Sequence, residues 1–528
     1  MGKEIGIDFG TTTTEVSYID KKGYSRSLRL EEGSYIIPTV IFFKSQDEYI
    51  IGKMANIKAR KIPQAAIKNF KLFLTDPNKK YKIVAENGDK FTVKPIKAAQ
   101  LFLNKLIQII QPKLLSEFKD DGTIEKAVIT VPAQFDPEEK YAIKNAIMKS
   151  ARQAGFSDIK LAAEPTAAAV AYQDENCEDG ESILVYDFGG GTFDVSVIKK
   201  VNDVYTEIAT DGDKRLGGNL LTEKIAKVIW EKCLDETDRD YPFDEDEVAT
   251  YSEEDYDLSI DKFLRNRNEV FLLAEELKIS FLEDDEANGL VNFYYNNDSE
   301  PMLINIDMTL NEFYKIIDKD IQKTVDLTVR VAKQTLEEGG ISKIDQLVLA
   351  GGSSQIRLIK DKFIKNPMLK DLVGEAGDSS TLISRGAAKL ASAELKVEEK
   401  TRFEIGTRLI KGAKLDLFET VIKAGEKIPC SGTQVFYLSR NNQKEVTIEY
   451  YEKDVKNYPK ASRIDDDGIN LVNELSISGI PPEDGLSLWV TFSIGSDGTP
   501  TISAEIKDQN NDIVKSDKLT ITKGGNLY

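Results

Sequence analysis

The chain has 528 residues, of which 41% are hydrophobic and 30% are charged, and it carries a formal net charge of −19 at pH 7. This length is sufficient for two or three domains, and the negative charge argues against nucleic acid or an anionic membrane as a partner. The absence of histidine excludes Ser-His-Asp and Cys-His catalysis and any imidazole metal ligand. Because we find neither a secretory signal nor an apolar run long enough to cross a bilayer, we expect a cytoplasmic protein.

The first predicted element is a pair of strands joined by a short turn. Residues 5–19 are typical of two strands, with Gly10 and several threonines between them. Further elements are expected before residue 180: strands at about 36–43 and over Ala127–Val131, and helices over Ala98–Leu115, from Asp136 to about Ala154 and from Glu164 to Tyr172. The last of these helices is rich in alanine, so we expect it to pack closely.

The segment Ile183–Val197 repeats the first pattern. It predicts a buried strand, a glycine turn and a second strand. Ile7–Ile19 aligns with Tyr186–Ile198, and Asp, Phe, Gly, Thr, Val, Ser and Ile coincide at matching offsets. This internal repeat predicts two similar halves that face each other across a cleft, each with one hairpin.

The two glycine turns are candidate phosphate sites. Backbone N–H groups of Gly10–Thr13 and Gly189–Thr192 can hold phosphate oxygens, because the glycines leave no side chain in the way. Asp8 and Asp187 occupy equivalent positions of the repeat and can orient a hydrated Mg²⁺ ion. A tight turn and its capping are the alternative explanation for one such hairpin. Two copies with matched acids favour phosphate and metal binding.

The rest of this region alternates helices with a strand: helices over Leu220–Leu234, over Phe263–Leu282, within Asp307–Glu338 and over Leu382–Leu395, and a strand over Lys343–Ala350. Such alternation predicts α/β layers. The acidic stretch Asp235–Asp261 is expected to form a solvated surface.

The character of the sequence changes near residue 394. From Phe403 onward the chain is expected to be all-β, with short strands over Gln434–Ser439, Val446–Tyr451, Leu486–Ser493 and Thr501–Ile506. We therefore predict an α/β domain over residues 1–392, a linker over 393–401 and a β-sandwich over 402–528.

Several motifs stand in the order found in the heat-shock protein 70 chaperones, the DnaK-like family, and the chain resembles that family over nearly its whole length. They are IGIDFGTTTTEVSYI, VITVPAQF, AAEPTAAAVAY, VYDFGGGTFDVSVI, RLGG and LVLAGGSSQI, followed by ISGIPP and VTFSIGSDGTPTISA in the β region. The resemblance implies an actin-like ATPase domain, which is a duplicated ribonuclease-H-like α/β fold, followed by an all-β peptide-binding sandwich. It implies a chaperone that binds ATP or ADP with Mg²⁺, hydrolyses ATP slowly, and has unfolded or extended peptide segments, a co-chaperone and a nucleotide-exchange factor as partners.

The resemblance also implies roles for individual residues. Those around the reacting phosphate and its metal are Asp8, Lys71, Glu164, Asp187, Thr192 and Asp194, with Asp8 and Asp187 holding Mg²⁺ through water. Those that bind phosphates are Gly10, Thr11, Thr12 and Thr13, beside Gly189, Gly190 and Gly191 of the second turn. Those that hold ribose and adenine are Gly217, Gly218, Glu275, Lys278, Gly351, Gly352 and Ser353. Those that form the apolar peptide pocket are Phe436, Val446 and Ile448.

Two of these assignments have open alternatives. Lys71 follows Pro63 by eight residues, as in the family, but Lys68 is equally plausible from the residues alone. The three apolar residues of the β region fit a plain sandwich core as well as a peptide pocket.

The sequence also departs from the family. Gln355 stands where the family has an arginine, and the linker around Glu394–Glu399 is charged, so it is expected not to dock as a continuous apolar strand. The chain stops shortly after the β region, so we expect no helical lid and fast peptide release. The charged linker and the missing lid favour one other function, a non-catalytic, nucleotide-sensing protein with one dedicated partner. A small-molecule kinase on the same fold is a third and weaker possibility, because it leaves the C-terminal β region unexplained.

Overall fold

The structure is a computed structural model that describes residues 3–76, 78–118, 123–133, 137–176, 180–201, 204–244, 251–338, 341–372, 381–392, 396–398, 401, 403–411, 414–438, 444–455, 458–483, 485–495 and 500–521. The chain forms two compact units, one made of Met1–Gln134 with Ala146–Lys396 and the other of Phe135–Asn145 with Val397–Tyr528. No helix among these described ranges has the length and apolar character needed to span a membrane.

The strands up to residue 398 are β1 (Lys3–Phe9), β2 (Thr13–Ile19), β3 (Ser25–Ser27), β4 (Ile36–Pro38), β5 (Ile41–Phe43), β6 (Tyr49–Ile51), β7 (Ala66–Ile67), β8 (Tyr81–Val84), β9 (Lys90–Val93), β10 (Ile124–Val131), β11 (Ile159–Ala163), β12 (Ser182–Phe188), β13 (Phe193–Val201), β14 (Val204–Asp213), β15 (Glu286–Phe293), β16 (Met302–Thr309), β17 (Gln346–Ala350) and β18 (Lys396–Glu398). The helices are α1 (Gly52–Lys61), α2 (Pro95–Phe118), α3 (Pro137–Ala154), α4 (Glu164–Asn176), α5 (Gly218–Thr237), α6 (Glu253–Tyr256), α7 (Ile260–Ser280), α8 (Leu310–Glu338), α9 (Arg357–Lys365) and α10 (Leu382–Ser392). Short 3₁₀ turns cover Pro63–Ala65, Phe70–Phe73 and Gly352–Gln355.

Two sheets of the first unit repeat one arrangement of strands. The first has the order β11-β10-β1-β2-β3, with β4 also paired to β2, and the second has the order β17-β12-β13-β14-β18. In each sheet the leading strand of a hairpin runs parallel to one neighbour and antiparallel to the other, as β1 does between β10 and β2 and β12 does between β17 and β13. The two predicted hairpins are therefore present, and four strands around each of them, β10-β1-β2-β3 and β17-β12-β13-β14, follow the same order.

The registers of the two hairpins place acids in equivalent pairs. Asp8 lies opposite Glu15 across β1 and β2, and Asp187 lies opposite Asp194 across β12 and β13. Side chains directly opposite in an antiparallel pair are close enough to interact. Each hairpin therefore carries two facing carboxylates just before its turn.

Two helices lie between these sheets. Helix α10 packs against β1, β2 and β10, while α4 packs against α10 and against β12 and β13. Their backbones touch, because a Cβ atom built on Gly386 of α10 would lie 1.7 Å from the carbonyl oxygen of Ala167 in α4. The expectation that the alanine-rich helix packs closely is confirmed.

One apolar core of the first unit contains residues of the acidic stretch, which composition alone assigns to the surface. Tyr241, Phe243 and Leu258 are buried in it, with exposed fractions of 3%, 6% and 0%. The expectation of a solvated surface over Asp235–Asp261 is therefore wrong at these residues, because apolar side chains spaced among the acids find a core to enter. Strand β14 and the hairpin β15–β16 were not predicted from the sequence either.

Part of the predicted linker forms a short strand. Lys396–Glu398 is β18, at the boundary between the two units. Strand pairing uses backbone N–H and C=O groups, so a charged sequence can form a strand. The expectation that the linker does not dock as a continuous apolar strand stays a prediction.

The second unit contains β19 (Glu404–Lys411), β20 (Lys414–Ile422), β21 (Cys430–Tyr437), β22 (Glu445–Lys453), β23 (Ile469–Ser478), β24 (Ser487–Ile494), β25 (Pro500–Lys507) and β26 (Ile513–Thr520). They form two four-stranded sheets with the orders β20-β19-β22-β23 and β21-β24-β25-β26. Side chains from both sheets share one apolar core. This is the two-layer antiparallel arrangement that the alternating strands predict.

Candidate functional site

The turns of the two hairpins lie against each other in the first unit. A Cβ atom built on Gly190 would lie 1.9 Å from Oγ1 of Thr12, so the second turn approaches the first only because residue 190 has no side chain. Behind the first turn, Thr39 donates its backbone N–H to the Thr12 carbonyl at 2.8 Å and its hydroxyl to the Gly10 carbonyl at 3.1 Å. We call the region where the turns Gly10–Thr13 and Gly189–Thr192 meet the hairpin junction.

Two further glycine segments join the junction at the second turn. The carbonyl of Gly189 accepts hydrogen bonds from the Gly218 N–H at 2.9 Å and from the Ser353 hydroxyl at 3.0 Å. Gly351 directly follows β17, whose last residue Ala350 is paired with Asp187. The start of α5 and the Gly351–Ser353 turn, which are far apart in sequence, therefore meet at one place. Gly352 itself faces open space.

Buried acids surround the junction. The side chain of Asp8 accepts a hydrogen bond from the Thr130 hydroxyl at 2.9 Å, and the ammonium of Lys71 lies 2.9 Å from a carboxylate oxygen of Glu164. Asp187 is 4% exposed, and its Oδ2 atom is buried without a hydrogen-bond partner in the described part of the chain. Asp194 is 1% exposed. The structure thus brings the four predicted carboxylates and Lys71 into one group, in which Asp8 is half-buried and the others are buried.

This crowding changes the proton affinity of two acids. Burial, and then repulsion from Glu164, raises the pKa of Asp8 from 3.8 to about 7, against the opposing effects of Lys71 and the Thr130 hydrogen bond. Burial, and then repulsion from Glu164, Asp194 and Asp8, raises the pKa of Asp187 well above its usual value, and Lys71 again opposes the shift. Ionising both acids therefore calls for a further positive charge.

The donor set fits a hard cation held largely through water. No cluster of three or more acids or cysteines is arranged as direct metal ligands among the residues that the structure describes. Mg²⁺ does not need one, since it keeps several waters and uses one or two carboxylates. The unpartnered oxygen of Asp187 and the raised pKa of Asp8 fit such an ion.

The structure distinguishes the two candidate lysines. Lys71 lies in the 3₁₀ turn Phe70–Phe73, is 5% exposed, and approaches both Glu164 and the ring of Phe9, whose centroid is 5.8 Å away. Lys68 is only partly buried; burial and then Arg60 lower its pKa, and its attraction to Glu275 opposes the shift. Lys71 is therefore the lysine that reaches the acids.

The residues predicted for ribose and adenine are linked by hydrogen bonds. The ammonium of Lys278 on α7 lies 2.6 Å from Glu275, 2.9 Å from the Thr222 hydroxyl and 3.2 Å from the Gly218 carbonyl. This network fixes α7 against the start of α5, next to the second glycine turn. Their role in nucleotide binding stays a prediction.

Sequence reasoning missed four residues of this site. Glu15 could have been found, because the repeat aligns it with Asp194. The sequence signal for Thr130 is weaker, and consists of its place at the end of a strand that is parallel to β1. Asn69 and Asn219 carry no signal in the sequence, since their contacts join segments 150 residues apart.

The predicted peptide-binding residues lie in the second unit. Ile448 is 4% exposed and belongs to the sandwich core, while Phe436 and Val446 are half-buried and pack against that core. A groove of about 640 Å³ is present at the end of the hairpin that carries Val446; it is lined by Lys444, Glu445, Ser478, Gly479, Ile480 and Pro482. Core packing therefore explains Ile448 fully, and a binding role for the other two stays a prediction.

Comparison with known proteins gives one consistent result. The family model described as Hsp70 protein matches residues 4–527. Two similar relatives are the chaperone protein DnaK of Halobacterium salinarum strain R1 and that of strain NRC-1; each is 27% identical to this chain, over 99% of the chain and 76% of the relative. The chain therefore belongs to the Hsp70 protein family.

Proposed function

We propose that this protein is an ATP-dependent chaperone of the Hsp70 type, which binds ATP with Mg²⁺, hydrolyses it slowly, and thereby modulates the binding of extended apolar peptides. The observation that carries the proposal is the buried ion pair of Lys71 and Glu164, 2.9 Å apart, beside two glycine turns. A point charge at that place is suited to phosphoryl transfer, which depends on positioning and charge neutralisation.

The proposal assigns each part of the chain a task. Residues 1–392 act as the actin-like nucleotide-binding domain, 393–401 as the linker and 402–528 as the peptide-binding sandwich. The backbone N–H groups of both glycine turns hold phosphate oxygens, as such turns do for anions. Glu275 and Lys278, together with the glycines at 217, 218 and 351, face the adenosine.

The acids have separate roles in the proposed reaction. Asp8 and Asp187 hold Mg²⁺ through water, and the bound ion supplies charge neutralisation of the phosphate oxygens. Glu164 holds Lys71 in place and, with Asp194, orients the attacking water. Lys71 offsets the negative charge that develops on the phosphoryl group.

The sandwich is proposed to bind an extended peptide beside Phe436 and Val446. A peptide that adds to a strand gains main-chain hydrogen bonds, and an apolar pocket gives it side-chain preference. The groove next to Val446 supports this location. A co-chaperone, a nucleotide-exchange factor and a cytoplasmic location complete the proposal.

Single-turnover ATP hydrolysis tests this function. Wild type, Lys71→Ala and the matched control Lys68→Ala are measured with Mg²⁺, with and without a short apolar peptide. We expect wild type and the control to hydrolyse ATP, peptide to accelerate both, and Lys71→Ala to bind nucleotide but lose at least about 100-fold in rate.

Each other outcome changes the conclusion in a different way. If peptide does not change the rate of ATP hydrolysis, the ATPase activity is not coupled to peptide binding by the sandwich. Binding without turnover in wild type would support a nucleotide-sensing protein with a dedicated partner, which family membership does not favour. Absence of nucleotide binding would reject the proposal.

A further inference from the structure

We infer that Asn219 is a positioning residue that holds the Lys71 segment in register with both glycine turns. Asn219 is the second residue of α5 and is half-buried at the hairpin junction. The inference rests on the proposed function, because it concerns the hydrolysis step at the same site.

Asn219 bonds to three separate elements. Its backbone N–H donates to the Gly190 carbonyl of the second turn at 2.7 Å. Its side-chain oxygen accepts from the Thr12 hydroxyl of the first turn at 3.4 Å, and its side-chain nitrogen donates to the side-chain oxygen of Asn69 at 3.3 Å. An amide suits this task, since it presents a donor and an acceptor from one planar group.

The contact with Asn69 leads directly to Lys71. Asn69 has φ 54° and ψ 22°, in the left-handed region, and it begins the 3₁₀ turn Phe70–Phe73. A residue at this point sets the direction in which the turn leaves the chain, and asparagine is among the few residues that adopt this conformation readily. Two residues later, Lys71 reaches Glu164.

Charge explains why an amide is better here than a carboxylate. The junction already holds Asp8, Glu164, Asp187 and Asp194, and a further negative charge would repel phosphate. An aspartate at position 219 could still accept from Thr12, but it could not donate to Asn69. The neutral amide links the turns without repelling phosphate and without losing the hydrogen bond to Asn69.

This arrangement predicts an effect on rate more than on affinity. Asn219 is not bonded to Glu275 or Lys278, which form their own network with Thr222 and Gly218. Losing Asn219 should therefore displace Lys71 while adenosine contacts remain. Small misplacements of a reacting group commonly cost about 10- to 100-fold in rate.

The experiment compares Asn219→Ala, Asn219→Asp, Asn69→Ala and the double variant Asn219→Ala with Asn69→Ala. Asn104→Ala is the control, because the Asn104 side chain also donates one hydrogen bond and accepts another, to the Ala154 carbonyl at 3.4 Å and from the Gln108 amide at 3.2 Å, but outside the junction. We expect the single variants to lose about 10-fold or more in kcat with less than about threefold change in nucleotide Kd, and the control to match wild type. The double variant should be no slower than the slower single variant, since both changes break one chain of contacts.

Amide hydrogen exchange of residues 69–74 supplies a second readout that does not require turnover. We expect faster exchange in Asn219→Ala and Asn219→Asp than in wild type, and no change in Asn104→Ala. Unchanged kcat and exchange, or additive losses in the double variant, would overturn the inference. If wild type itself neither binds nor hydrolyses ATP, the proposed function fails, and exchange alone then decides whether Asn219 holds the segment.

Discussion

The two glycine hairpins have the same strand order but are held by different groups. The first turn is held by threonines, because Thr39 donates its hydroxyl and its backbone N–H to the turn's carbonyls and Thr130 donates to Asp8. The second turn is held by backbone N–H groups at the start of α5 and by the Ser353 hydroxyl, which donate to its carbonyls. Its acid, Asp187, keeps an oxygen with no hydrogen-bond partner in the described residues.

This difference indicates that the two copies of the repeated hairpin have different roles in binding. Asp8 accepts a hydrogen bond from the protein itself. Asp187, in contrast, has an oxygen atom that is available to bind a metal ion. A repeated fold thus fixes where the two acids stand, while the groups around each acid decide what it can bind. The experiments below test this contrast.

The largest effect is expected from removing the charge of each acid in turn. Asp187→Asn should reduce Mg²⁺-dependent hydrolysis by about 100-fold or more, because its unpartnered oxygen is the one available to the ion. Asp8→Asn should cost less, since one of its oxygens already accepts from Thr130. Hydrolysis rates over a Mg²⁺ titration measure both. Equal losses in the two variants would show that the hairpins contribute alike.

The next effect concerns the closeness of the two turns. Gly190→Ala would place a methyl group 1.9 Å from the Thr12 hydroxyl, so we expect a destabilisation of about 1–3 kcal/mol and at least tenfold weaker nucleotide binding. Gly352→Ala is the control for stability alone, because a Cβ atom there meets nothing within 4 Å, while Gly352 is itself predicted to lie beside the nucleotide. Chemical denaturation and nucleotide titration measure both quantities. If Gly190→Ala changes neither the stability nor the nucleotide affinity, close contact of the two turns is not required.

The third effect is a pH dependence of metal-free stability. The pKa of Asp8 is 3.8 as a free group and about 7 when folded, so the folded state keeps a proton that the unfolded state loses. Stability from this group is therefore present below about pH 4 and is lost as pH rises through 7, with a slope of at most about 1.4 kcal/mol per pH unit.

Asp8→Asn cannot titrate and should flatten that slope, which denaturation in chelator at several pH values measures. Some slope should remain, because burial and its acidic neighbours also raise the pKa of Asp187. If the slope of stability against pH is the same in Asp8→Asn as in wild type, Asp8 does not keep a proton in the folded state.

The smallest effect is expected where the two halves are joined by an exposed ion pair. Arg60 of α1 forms an ion pair with Glu276 of α7 at 3.0 Å, and both side chains are partly exposed. Exposed pairs contribute about 0.2–1 kcal/mol, so Arg60→Ala should speed nucleotide release only about two- to fivefold. Arg265→Ala is the control, because its 3.0 Å pair with Asp261 stays within α7. Equal release rates in both variants would show that this surface does not hold the halves together.

The sequence predicted the parts of this site that depend on local pattern or on repetition. Both hairpins follow from alternation and glycine turns, and the match of Asp8 with Asp187 follows from the repeat. The choice between Lys68 and Lys71 could not be made, because it depends on where a left-handed residue, Asn69, turns the chain. Asn219 was out of reach for a similar reason, since its partners Thr12 and Asn69 are joined to it only by folding.

The hairpin β15–β16 was missed for a different reason. Its alternation of buried and exposed residues is present in the sequence, since Ile304, Ile306 and Met308 are buried while Asn305 and Asp307 between them are exposed. The exposed Leu290 and Leu303 interrupt this period of two, on which strand prediction depends.

The contact between α4 and α10 has a mechanical consequence. Their backbones meet at Ala167 and Gly386 with no side chain between them, and each helix packs on a different one of the two repeated sheets. Because this contact leaves no room for a side chain, we expect the sheets to move relative to each other by turning about the crossing more readily than by sliding of one helix along the other. The crossing then acts as a pivot, and the displacement of a residue in a small rotation grows with its distance from the pivot. The Arg60–Glu276 pair, which joins the outer helices of the two halves, is therefore where such a turn should be easiest to detect.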